Sequence, residues 1–102
     1  MTPEKMLSVV ETCEEFLLRE GVPKIQMDEN RTFGSLSIDE RLAHAHFLCE
    51  GAKKYIMNPE QYGKANRHLT AIQMLMSFAD IFTLRDLKNQ SRPDLPEQKT
   101  TD

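Results

Sequence analysis

The segment "AIQMLMSFADIF", Ala71 to Phe82, constrains the fold most strongly. It continues a helical pattern in which Leu69, Ile72 and Met76 form one stripe, yet Met74 and Phe78 fall on the opposite face. A helix that is apolar on both faces must be covered on both. The chain has only 102 residues, and only two other long amphipathic patterns can supply that cover. This length supports a single small core, and hence one domain.

The first of those patterns opens at Thr2, a favourable N-cap, with Pro3 at the first helical position and Glu4 beside the positive end of the helix dipole. Met6, Val9, Val10, Cys13, Phe16 and Leu17 make its stripe, while Ser8, Glu11, Thr12, Glu15 and Arg19 face away. Gly21 supplies a left-handed cap and Pro23 prevents continuation, giving a helix over 3–20.

The second is announced by the capping-box spacing of Ser37 and Glu40 and runs over 38–57. Its expected face is Ile38, Leu42, Ala45, Cys49, Ala52 and Ile56, with Leu48 at the edge; the small residues let another helix approach closely. Between these two helices, residues 22–36 carry turn formers and isolated apolar residues. A short hairpin is conceivable there, but an irregular packed loop is preferred.

Asn58, Pro59 and Gln61 read as a second box-like start, and the third helix is expected over 59–79, with Tyr62, Ala65, Leu69, Ile72 and Met76 as its main stripe. Thr83 and Asp86 cap a brief fourth helix over 84–90. The proline-containing stretch 91–102 reads as a mobile tail. The expected architecture is therefore an all-α helical bundle without internal repeats.

Composition narrows function mainly by exclusion. A net charge of −3 offers no general attraction to nucleic acid or to an anionic membrane, and Lys53, Lys54, Lys64, Arg67, Arg85, Lys88 and Arg92 are scattered among acids. No stretch approaches the ~20 apolar residues of a membrane span. The acidic N-terminal region does not resemble a signal peptide, so a cytoplasmic location is expected. Cys13 and Cys49 fall on apolar faces and read as small hydrophobes rather than as a disulfide.

In "HAHFLC", His44 and His46 lie two residues apart on a helix, about 200° around it, so they cannot bind one metal ion together. An exposed His44 and a stripe-edge His46 are expected. "ETCEE" offers Glu11 and Glu14 for a metal-dependent nucleotide hydrolase, but no second acidic motif of matching spacing follows. No nucleophile elbow and no phosphate-binding glycine loop is present in the sequence, so neither an enzyme nor a cofactor is the favoured expectation.

The preferred expectation is a small interaction or regulatory protein that forms a homodimer through helix three and binds a protein partner. Ala71, Met74, Phe78 and Phe82 would form the interface, with Asn66 and Gln73 as its hydrogen-bonding border. The alternative is a small-ligand or nucleotide binder using Asn66, Arg67 and Gln73, with His46 from helix two.

The last third of the chain resembles small helical proteins of bacteria and their phages. Their pattern runs Lys-x-Asn-Arg-aromatic-Leu-Gly-Phe-Ile-Gln-Gly, then Tyr-Thr-x-x-Glu-Leu-Lys and Asn-Arg-Pro. Lys64, Asn66, Arg67, Leu69, Ile72, Gln73, Thr83, Leu87, Lys88, Arg92 and Pro93 match it. His68 stands in place of the aromatic, Thr70 and Met74 in place of glycines, and Asp86 in place of the longer acid. The resemblance implies a phage or mobile-element origin and no particular chemistry.

Overall fold

A computed structural model describes residues 1–92. The fold is all-α: α1 (Pro3–Arg19), α2 (Ile38–Ile56), α3 (Tyr62–Phe78) and α4 (Leu84–Ser91), with 3-10 turns at Phe33–Ser35 and Pro59–Gln61. No strand occurs among the described residues, so 22–36 is not a hairpin. Ser91 closes α4, and residues 93–102, most of the expected tail, lie outside the described region.

Local chemistry sets the helix ends. Thr2 Oγ1 accepts the Lys5 N–H, and Pro3 occupies the first turn where its missing N–H costs nothing. At the other end of α1, Gly21 adopts φ 71°, and the Gly21 and Val22 N–H groups bond back to Leu18 and Leu17, forming a Schellman stop. The same stop ends α3, where Asp80 and Ile81 bond to Ser77 and Met76. Asp80 there takes the left-handed conformation at φ 64°.

Both capping boxes that begin α2 and α4 are complete. The start of α3 differs from expectation. Asn58 caps the Glu60 N–H, but Gln61 makes no capping bond, so Pro59–Gln61 winds as a tighter 3-10 turn and α3 proper starts at Tyr62.

The short 57–61 connection returns α3 antiparallel along α2, and α1 packs mainly on α2, with a lesser contact to α3. Val10, Cys13 and Leu17 of α1 meet Ala45, Cys49 and Ala52 of α2 and Leu69, Ile72 and Met76 of α3 in one core. Gly51 leaves room for α3, because a Cβ there would sit 3.3 Å from the His68 ring. Ile38, expected on the buried face of α2, lies instead at the exposed first turn.

Arg41 closes the far end of this pairing. Its guanidinium donates to Phe33 O at 3.0 Å, Gly34 O at 3.0 Å and Phe78 O at 2.9 Å, tying α2 to the 3-10 turn and to the C-terminal end of α3. Three carbonyls, one of them an orphan of the helix end, are satisfied by one cation. Arg41→Ala should therefore lower stability by about 2 kcal/mol, read from urea melts, because these charge-assisted bonds are replaced only by water. An unchanged midpoint would show that the clamp carries no stability.

Candidate functional site

On α3, Arg67, Ala71, Met74 and Phe78 follow at steps of four, three and four residues and so share one face. Phe78 is 55% exposed, Ala71 and Met74 are half-buried, and Arg67 is exposed. The opposite side, with Ala65, Leu69, Ile72 and Met76, is buried. Phe82 is not part of the outer face: it follows the helix stop and packs, with Ile81, against the core.

The predicted polar residues separate. Asn66 is exposed beside the outer face. Gln73 is only 7% exposed, and its side-chain amide donates to Gln90 Oε1 at 2.9 Å. This bond lies within the chain and ties α3 to α4. His46 is 1% exposed and lies on α2, with Nδ1 2.7 Å from Val22 O. The geometry does not gather Asn66, Arg67, Gln73 and His46 into one pocket.

His44 is also buried, contrary to the expectation of an exposed ring. Residues 22–27 explain it, since they run across this side of α2 as a non-helical strap whose backbone groups need partners. His44 Nδ1 accepts the Met27 N–H at 3.1 Å, His46 Nδ1–H donates to Val22 O, and the Ile25 N–H reaches Ala43 O at 3.2 Å. The two imidazoles thus act in opposite senses, one as acceptor and one as donor, which a carbonyl-and-amide edge requires. His44 also stacks on Phe47 with ring centroids 5.8 Å apart. Nε2 of His46 is buried without a hydrogen-bond partner among the described residues.

A cleft of about 570 Å³ opens between this strap and the start of α2. Leu36 and Ala43 are buried in its floor, and Val22, Met27 and Leu42 are half-buried along it. Its rim carries Glu20, Asp28, Asp39 and Glu40 against one cation, Arg31. Arg31 is already paired with Glu40 at 3.1 Å, and the bonds from the Ser37 N–H and Arg31 hold the Glu40 carboxyl below the usual carboxylate range. The sequence signals for this cleft were weak, because it is formed by an irregular segment laid on a helix.

Other reactive groups are accounted for by structure. Cys13 and Cys49 are free and buried, and burial pushes both thiols up to about 12, so they stay protonated. Glu14 pairs with Lys53 at 2.7 Å, which ties α1 to α2 and removes it from a pair with Glu11. Among the described residues no group of three His, Cys, Asp or Glu side chains is placed to hold a metal ion. No helix among them is long and apolar enough to cross a membrane.

Comparison with known proteins finds no matching family, no similar curated protein and no similar solved structure.

The strap gives a pH prediction. His44 must be neutral to accept from Met27, and burial, followed by repulsion from His68, lowers its pKa from the ordinary 6.5. The unfolded chain therefore binds this proton more readily than the folded one, so the His44 contribution to stability is complete above the unfolded value and is lost as pH falls through it toward the lower folded value. Thermal melts between pH 7.5 and 5 should show this loss, and His44→Gln should flatten that part of the profile; an identical slope in both proteins would contradict the assignment.

Proposed function

We propose that the protein is a small non-enzymatic interaction protein that works as a homodimer paired through the outer face of α3. The observation that carries this is Phe78, a large aromatic more than half exposed at the end of a face that continues through Met74 and Ala71. Its position is held from beneath by the Arg41 bond to its own carbonyl.

A second copy is the proposed occupant because the face can meet itself with opposite charges at its two ends. In the proposed pairing, a two-fold axis crossing antiparallel helices at Met74 would bring Ala71 opposite Ser77 and beside Phe78 of the other copy, and Arg67 near Asp80. Ala71 leaves room for the opposing aromatic ring. The left-handed turn at Asp80 carries that exposed carboxylate just beyond the helix end. Each cation then meets an anion twice, once on each side of the axis.

The apolar patch is small, so the pairing belongs at the weak end of protein interfaces. A phage or mobile-element origin, implied by the resemblance of the last third of the chain, accords with a small binder in a cytoplasmic setting.

Sedimentation equilibrium over a wide concentration range tests the pairing. The parent should shift from monomer to dimer with rising concentration, Phe78→Glu should remain monomeric, and Arg67→Glu should weaken association, most at low salt. Because Phe78 is exposed, Phe78→Glu should change folding stability by no more than about 0.5 kcal/mol. A parent that stays monomeric at millimolar concentration would refute the proposal.

A further inference from the structure

The cleft between the 22–27 strap and α2 lies apart from the α3 outer face and has its own chemistry. Its floor is aliphatic, and on its wall Ile25 is left 56% exposed although its backbone N–H is fixed to α2. A large β-branched side chain held open by an anchored backbone presents a standing apolar surface rather than a mobile one. Its rim is strongly one-signed: Glu20, Asp28 and Asp39 have no cation partner among the described residues, and the single arginine is spent on Glu40. An apolar floor within an anionic rim selects a ligand that is apolar at its centre and cationic around it.

We propose that this cleft docks a peptide segment of a partner protein in which a large aliphatic side chain is flanked by lysines or arginines. The aliphatic group would fill the space over Leu36, Leu42 and Ala43, and the flanking cations would meet Glu20, Asp28 and Asp39. A volume of about 570 Å³ holds one or two such side chains, not a folded domain. The Ile25 and Met27 N–H groups are bonded to α2, to Ala43 O and His44 Nδ1, so the strap wall of the cleft is held in place for the incoming segment. The proposal does not depend on pairing through α3; a dimer would simply carry two such clefts.

The test is selection of random twelve-residue peptides on phage against the full chain, followed by fluorescence anisotropy of the enriched peptides. Enriched sequences should place an aliphatic residue among two or more Lys or Arg. Their affinity should fall at least tenfold in the triple variant Glu20→Gln, Asp28→Asn, Asp39→Asn, and should fall with added salt. These isosteric changes keep Asp28's turn bond to the Asn30 N–H available to an asparagine oxygen and leave the Glu40 capping box intact, and circular dichroism checks the fold. Phe78→Glu should leave binding unchanged, which separates this site from the α3 face. Acidic or purely apolar enriched peptides, affinity unchanged in the triple variant, or loss of binding in Phe78→Glu would each overturn the proposal. Growth of the protein beyond a dimer, abolished by both the triple variant and Arg85→Glu, would assign the cleft to the basic α4 of another copy and overturn it as well.

Discussion

A chain with three long helices can surround only one of them, and here that one is α2. Four successive α2 residues, Ala43 to His46, are buried, which no single-faced amphipathic helix permits. α1 and α3 cover one part of the surface, and the 22–27 strap covers another. The rest of the architecture follows from that allocation. The small residues Ala45, Cys49, Gly51 and Ala52 let the neighbouring helices close in, and Arg41 and the Glu14–Lys53 pair fasten the ends of those contacts. With the covering elements committed to α2, the described residues leave the outer face of α3 without an equivalent cover.

The two histidines express the same constraint in polar form. A covering helix satisfies its own backbone, but a covering strap brings amides and carbonyls to a buried surface, each costly if unpaired. His44 and His46 supply one acceptor and one donor to it. Holding the strap in this way also shapes the acidic cleft between it and the start of α2, so the same segment links core stability to the proposed docking surface.

Much of the helical framework was legible in the sequence because its determinants are local. Thr2, Ser37 and Thr83 bond to backbone amides three residues ahead, and the stripe Ala65, Leu69, Ile72 and Met76 follows from helical periodicity. Non-local partners were not legible. Gln73 looked like a stripe-edge amide because nothing within its own helix reveals Gln90, and His44 looked exposed because the covering element has no periodicity of its own. Arg41 is an ordinary polar residue on a helix wheel, and only the return of α3 and the Phe33–Ser35 turn gives its three bonds. For the candidate site, the sequence identified Ala71, Met74 and Phe78 as apolar residues lacking an obvious local cover. It misplaced Phe82, whose path depends on the left-handed turn at Asp80.

Pairing of α3 with its copy about Met74 is tested most directly by a single-site cross-link. Cys13 and Cys49 are buried and protonated, so a cysteine introduced by Met74→Cys is the reactive thiol toward a short bis-maleimide. The predicted result is rapid formation of a covalent dimer at concentrations where the unmodified chain self-associates, with little cross-linking of Glu11→Cys on the exposed side of α1. Cross-linking at position 74 no faster than at position 11 would contradict it.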